Sequence, residues 1–492
     1  MVESKVYKNS AIYTACNFLT KGLNFLLLPL YTTFLATGDY GITGIVDSFT
    51  GVMCYLAIFS VQAAVMRFYI DYKDSEAQLA RYVGTLFFFS LLSTIAWSLL
   101  IAALNPILMP VLFSGIDFAP TMIIALVGLA FSNVGMVYQQ FLRAMENAKL
   151  SAVFSIGNVV LTALLTVIFI VPLGLGANGV LLASCIDSIA FFAVAVIHLR
   201  HEGMISFCID WRILQSVLKY SIPLLPHNLS TSIASLVSAV LINGAGSLSA
   251  MGVYNLASKF GVVCDTLQSS VNTAYQPWLF RKLHEKDGDY KAEIASFTET
   301  LLWVFAAVFV AVGLFIQDVI LLALPDSYAE AWPLVPLIII VCSIKTIYYF
   351  YIGILFYYKE ASRFIFVATL SSSCLNVALS FPLIGLLGAY GSVLADGLSM
   401  LLRVSLIVWM SRKYEDVGYK IWKFVRTTLI VVAVMAIGLV FSYTCCIYEF
   451  SFLNLLWKLG VYGAFVGYIC ATHRNGVEFV CSRLLDKFGK RS

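Results

Sequence analysis

Charged residues are scarce in this chain, at 12% of 492 residues against 60% hydrophobic ones. A soluble domain carries about 25% charged residues. The scarcity excludes a soluble globular protein, and no stretch between the apolar runs is long enough for a separate soluble domain. The eleven cysteines follow no CxxC or Cys/His spacing and fall almost entirely within apolar runs. There they act as small hydrophobes, which argues against a disulfide framework or a zinc site. Histidine is rarer still, with five residues, and no nucleophile–base or metal-ligand pattern is present. A secretory cleavage site is also missing. The first apolar run, about Ala11 to Leu35, is too long for a signal peptide, contains Asn17, Lys21 and Asn24, and is expected to be a transmembrane helix.

What the sequence does have is long apolar runs. Fourteen of about 20 residues can be counted. They are expected at 9–35, 42–65, 82–104, 119–141, 151–173, 177–199, 219–243, 249–277, 295–323, 333–357, 363–385, 389–411, 424–446 and 453–471. Basic residues alternate between the connecting loops. Of 31 lysines and arginines, 26 lie in one set of loops and the two termini, none in the opposite set, and five inside spans. By the positive-inside rule both termini are cytoplasmic. The outward loops are short and carry only Asp39, Asp117, Asp326, Glu330 and Glu449, which leaves no room for an external catalytic domain.

Two segments match across the chain: "GANGVLLAS" (176–184) and "GAYGSVLAD" (388–396), at an offset of 212. A weaker pair at nearly that offset is Gly41–Phe49 with Gly252–Phe260. The fold class expected is therefore an all-α polytopic membrane protein built from a duplicated six-helix unit. Six spans per unit give both copies one orientation, a parallel repeat of the kind found in transporters. The boundaries expected are an N-terminal lobe at 1–205, a C-terminal lobe at 206–412, and two extra helices with a tail at 413–492.

Five cations interrupt these spans: Lys21, Lys259, Lys345, Arg403 and Lys458. At about 1.5 Å per residue, the first three reach roughly 15–18 Å into a hydrocarbon core of about 30 Å. A cation there costs roughly 2.5–3.5 kcal/mol on insertion scales, so it must face protein or water. Asp47, Asp187, Asp265 and Asp396 accompany them. The chemistry leaves two readings open: a cavity whose Lys21, Lys259, Lys345 and Arg403 hold an anionic group such as a phosphate, or interhelical salt bridges. Asp396 and Arg403, seven residues apart, share a helix face and are a candidate pair. Thr14, Asn17, Lys21 and Asn24 form one polar stripe on the first helix. Lys458 lies near the outer end of the last span, where it can snorkel, and is expected to serve an interhelical salt bridge with no substrate role; Asp318 reads as interfacial. The four aspartates are candidates for a proton or cation relay. In "SIPLLPHNLSTSI" (221–233), Pro223 and Pro226 remove backbone donors and break the helix just before His227 and Asn228, a candidate hinge or gate.

Three stretches, "LLPLYTTFLATGDYGITG" (27–44), "YSIPLLPHNLS" (220–230) and "MGVYNLASKFG" (251–261), together with the fourteen-helix layout, carry a family likeness. The chain resembles the polysaccharide-transporter branch of the multidrug/oligosaccharidyl-lipid/polysaccharide exporter superfamily, the O-antigen and capsule flippases. The resemblance implies two six-helix lobes around a V-shaped cavity that opens to alternate membrane faces. It implies a lipid-diphosphate-linked sugar as substrate, its diphosphate meeting cavity cations and its acyl tail left in lipid. Lys259 falls on the basic position of the family's Tyr-x-x-Ala-x-Lys pattern, with Tyr254 and Ala257. The chain departs from the family late in the seventh span, where Ser238-Ala239 replaces an acidic–basic pair.

The function expected is a flippase in the bacterial cytoplasmic membrane that moves a lipid-linked oligosaccharide outward, with possible proton or sodium coupling. It needs no cofactor or metal, binds no nucleic acid, and works as a monomer among membrane lipids and polysaccharide polymerase or assembly proteins. Two rivals stand beside it. An exporter of small cationic compounds would be hindered by cavity cations. A membrane polymerase or acyltransferase would need clustered catalytic groups, and none is recognisable.

Overall fold

The computed structural model describes residues 12, 15, 16, 18–23, 25–358 and 360–473. Among them every regular element is helical. Eleven helices are long and apolar enough to cross a bilayer. Three of the fourteen expected spans fall outside that count. The span at 9–35 lies partly outside the described residues, as do Thr14, Asn17 and Asn24 of its expected polar stripe. The other two are real helices, Thr37–Leu56 and Leu248–Glu285. Their Asp47, Asn255, Lys259, Asp265 and Gln268 dilute the apolar signal. Helix starts at the basic loops are capped by the residue types that do this best: Gln78 N–H donates to Ser75 Oγ at 3.5 Å, Leu150 N–H to Asn147 Oδ1 at 3.2 Å, and Ala292 N–H to Asp289 Oδ1 at 3.2 Å.

The chain divides into two units, Met1–Asn255 with Val377–Ala389, and Leu256–Asn376 with Tyr390–Ser492. The first has two apolar cores. One gathers Tyr82, Leu86, Val137, Phe141 and Val217, the other Ile45, Phe49, Phe113, Leu126 and Ile384. Gly41 and Gly252, which open the two weakly matching segments, meet face to face. A Cβ on Gly41 would lie 1.9 Å from the Leu248 carbonyl oxygen, and one on Gly252 would lie 1.9 Å from that of Thr37. The contact is reciprocal: the two helices cross backbone to backbone, as small residues allow inside membranes. Asn255 Nδ2 then donates to Tyr40 O at 3.1 Å across the same crossing. The stronger matching pair also agrees in conformation: Gly176 and Gly388 take φ of +55° and +58° as each chain turns into its next helix.

The expected span at 42–65 is not continuous. The Thr37–Leu56 helix ends, Phe59 and Ser60 take φ of +49° and +55°, and a 3₁₀ turn at Val61–Ala63 leads into the Val65–Tyr72 helix. Two successive non-glycine residues in the left-handed region are uncommon. They cannot continue a right-handed helix, which is why the span breaks there. The proline stretch behaves similarly: Trp211–Ser221 passes through a 3₁₀ turn at Ile222–Leu224 into Leu225–Ala245.

In the second unit, Tyr275 Oη lies 2.8 Å from Tyr419 Oη and 2.9 Å from Thr298 Oγ1, within an aromatic core that includes Phe350 and Phe424. At its basic side Glu415 accepts from Lys286 at 2.9 Å, Tyr290 at 3.0 Å and Tyr358 at 2.7 Å. Burial alone would raise the Glu415 carboxyl, but these three donors outweigh it and hold it below the usual carboxylate range. Lys458 forms an interhelical salt bridge, the structural role expected for it. Its side chain is fully buried rather than snorkelled, with Nζ 2.7 Å from Asp318 Oδ2 and 2.7 Å from Gln317 Oε1. Asp318 is likewise buried, not interfacial. The Phe452–Thr472 helix turns this face toward Tyr290–Ala323, so the ammonium finds a carboxylate before it could reach the interface.

Gly252→Ala is expected to destabilise by about 1–3 kcal/mol, because a backbone carbonyl cannot rotate away from the new methyl group. Gly51→Ala, on the Thr37–Leu56 helix with open space around it, should leave the thermal midpoint in detergent unchanged. Equal midpoints for both variants would contradict the crossing. Lys458→Met should cost about 3–5 kcal/mol by leaving Asp318 buried and unpaired. Adding Asp318→Leu to it should recover most of the lost midpoint, and failure to recover would mean the pair is not the cause.

Candidate functional site

The parts of helices Leu248–Glu285, Leu334–Tyr357, Ser362–Leu387 and Ala389–Tyr414 that belong to the second unit carry the charged and hydroxyl groups of a polar cluster. Gln268 sets the register of the first two. It is buried and donates through Nε2 to Cys342 O at 2.9 Å and to Thr346 Oγ1 at 2.6 Å. Asp265 precedes Gln268 by about one turn, and Thr346 follows Lys345 directly. The register therefore brings the Lys345 ammonium 2.6 Å from Asp265 Oδ1. Tyr349, four residues on from Lys345, donates to that same oxygen at 2.7 Å, and its ring lies 5.7 Å from the Lys345 nitrogen. The side chains of Lys345 and Asp265 remain 25% and 37% exposed. That openness distinguishes this pair from Lys458–Asp318, where the lysine is sealed.

Arg403 does not pair with Asp396. Its Nε donates to Ser372 Oγ at 2.7 Å and its Nη2 to Ser373 Oγ at 3.5 Å. Hydroxyls satisfy the guanidinium's donors without cancelling its charge. Asp396 is exposed, and among the described residues its carboxylate makes no hydrogen bond or ion pair, although Lys345, Arg403 and Asp265 all act on it electrostatically. The two residues share a helix face as expected, but two turns of helix separate them and the guanidinium's donors go to the serines of the neighbouring helix instead. Lys259 is half-buried, and among the described residues it has no hydrogen-bond or ion-pair partner.

The first unit holds the remaining candidates. Lys21 and Asp47 are exposed, and Asp47 lies near Tyr31. Asp187 is 2% exposed and accepts a short hydrogen bond from Asn158 Nδ2, while its Oδ1 has no hydrogen-bond partner among the described residues. Pro223 lies in the 3₁₀ turn and Pro226 in the first turn of the helix that follows. His227 sits beside the break. Asn228 Nδ2 donates to Ser60 Oγ at 3.2 Å, joining this break to the left-handed break of the other helix. The two discontinuities therefore touch, which their separation in sequence does not suggest.

Several participants escaped the sequence reading. Tyr349 could have been found from its spacing to Lys345, and Ser372 and Ser373 from the run of three serines inside an apolar span. Asn158 gives no local signal, because its importance comes only from lying opposite Asp187.

The chain's residues 6–283 match the family model described as polysaccharide biosynthesis protein. No curated protein sequence matches it. Among solved structures it is similar to lipid II flippase MurJ in an inward closed conformation, with TM-score 0.69 and 14% identity over 94% of this chain and 99% of that one. It is also similar to an inward-facing multidrug resistance MATE family transporter of the MOP superfamily, with TM-score 0.63 and 14% identity over 82% and 98%. A mutant of the Vibrio cholerae MATE transporter VcmN gives TM-score 0.58 and 15% identity over 84% and 98%. At these identities the likeness is one of fold.

Proposed function

Because the chain belongs to the polysaccharide biosynthesis protein family, within the MOP exporter superfamily whose fold it shares, we propose that it flips a lipid-diphosphate-linked oligosaccharide outward across the bacterial cytoplasmic membrane. Two six-helix lobes would alternate access to a central cavity, with both termini cytoplasmic. The observation that carries this reading is Lys259, a membrane-level ammonium with no protein counter-charge among the described residues, on the basic position of the pattern shared with the flippases. A cation so placed is stabilised by an anion delivered to it, and a diphosphate supplies two.

Lys345 adds a coupling step. A diphosphate arriving at Lys345 would compete with Asp265, and a displaced Asp265 would keep Tyr349 as donor while its carboxylate is left open to a coupling cation. Binding of the anion and of the cation would then favour one another. Arg403 would hold the second phosphate without having to break an ion pair. Asp396, Asp47 and Asp187 are further candidates for the coupling ion. Lys21 is a candidate phosphate ligand, and the Pro223–Asn228 break a candidate hinge. The substrate would come from, and its product pass to, polysaccharide polymerase or assembly proteins, with the transporter acting as a monomer. Lipid II is what the similar MurJ structure is named for, and a lipid-linked sugar is the class proposed here. Export of small cations is the weaker reading, since Lys259, with no counter-charge among the described residues, would repel them.

Lys259→Ala and Lys345→Ala are each expected to abolish outward display of the glycan in cells while membrane insertion, read by protease protection, stays normal. Unchanged display in both would remove the phosphate-binding role. Flipping of a fluorescent lipid-diphosphate glycan in proteoliposomes should stop when the proton and sodium gradients are both dissipated. Continued net transport against the lipid's own gradient would eliminate coupling.

A further inference from the structure

Away from the polar cluster, the first unit has an open recess of about 570 Å³ lined by Arg81, Ser206, Asp210, Trp211 and Arg212, among others. We propose that this recess binds the headgroup of an anionic phospholipid of the surrounding membrane, a site separate from the substrate path. Its position is that of a membrane interface. Arg81 lies near the start of Glu76–Ala103, Arg200 near the end of Gly176–His201, and Arg212 in the first turn of Trp211–Ser221. Positive charge in these loops marks the face assigned to the cytoplasm, where anionic lipids attract basic residues.

The recess exists because the 204–210 segment is laid directly on a transmembrane helix. Ser206 N–H donates to Ala80 O at 2.9 Å, and Asp210 N–H donates to Thr85 Oγ1 at 3.0 Å. Between these bonds Gly84 admits the Ser206 carbonyl, which would lie 1.8 Å from any Cβ there. The one acid in the recess is already engaged. Asp210 Oδ1 accepts from Arg212 N–H at 2.9 Å and Ile213 N–H at 3.3 Å, capping the helix rather than pairing with an arginine. The guanidiniums of Arg81 and Arg212 are exposed and have no carboxylate partner among the described residues. Two arginine forks beside one space are suited to a phosphate.

The rim explains why the phosphate should belong to a lipid. Trp211 and Phe207 are 74% and 62% exposed. The Phe207 ring packs 5.6 Å from Phe88 on the transmembrane helix, and the Arg200 guanidinium lies 5.9 Å above it. Large aromatics left this open at the end of a membrane helix belong at the headgroup and upper acyl level. A soluble anion would gain nothing from them, whereas a lipid offers an acyl chain to the rings and a phosphate to the arginines.

The test uses the full chain in neutral detergent, titrated with phosphatidylglycerol or with phosphatidylcholine of the same acyl chains and followed by native mass spectrometry. Arg81→Gln/Arg212→Gln should weaken the tightest phosphatidylglycerol site about 30-fold, at about 1 kcal/mol per arginine. Lys73→Gln/Lys149→Gln removes equal charge from the same face outside the recess and should leave that site intact. Independently, brominated phosphatidylglycerol should quench wild-type tryptophan emission more than brominated phosphatidylcholine does, and Trp211→Phe should remove the difference. The proposal is overturned if both double variants lose binding equally, if phosphatidylcholine binds as tightly, if inorganic phosphate at millimolar concentration displaces the lipid, or if Trp211→Phe leaves the quenching difference in place.

Discussion

A charge held at membrane depth has no water to replace its hydration, and the helix arrangement of this protein follows from how each such charge is accommodated. Lys458 and Asp318 neutralise one another in a sealed contact that also holds the last helix to the Tyr290–Ala323 helix. Lys345 and Asp265 do the same but stay partly open. Arg403 satisfies its donors with serine hydroxyls and keeps its charge. Lys259 has no partner of its own among the described residues. These grade from a sealed joint that stabilises the fold to an ammonium with no counter-charge among the described residues.

Packing supplies the second constraint. Without a hydrophobic driving force between helices in lipid, close approach has to provide the attraction. Gly41 and Gly252 supply it by bringing backbone carbonyls to where side chains would stand. Their contact is reciprocal, each glycine facing a carbonyl of the other's helix. Near the same helices, left-handed Phe59 and Ser60 and the proline turn at Ile222–Leu224 interrupt what would otherwise be continuous spans. The bond from Asn228 to Ser60 joins these two interruptions. A helix broken at a partnered point can change direction there without exposing unsatisfied backbone to lipid.

The sequence alone determined the solvent of this protein, its all-helical class, the alternation of basic loops and the break at Pro223. All of these depend on composition or on spacing along one segment, which local chemistry dictates. It placed Asp396 and Arg403 on one helix face, and the structure agrees, yet the arginine turned to Ser372 and Ser373 instead. It read Lys458 as a structural salt-bridge cation able to snorkel, and the structure supplies the bridge, to Asp318, in a sealed contact. It followed the 42–65 run as one span, because hydropathy does not register two left-handed residues. Only the tertiary structure decided which charge meets which partner, since that depends on the rotation of each helix about its axis. That rotation is fixed by contacts such as Gln268 to Cys342 and Gly41 to Leu248, between residues far apart in the chain.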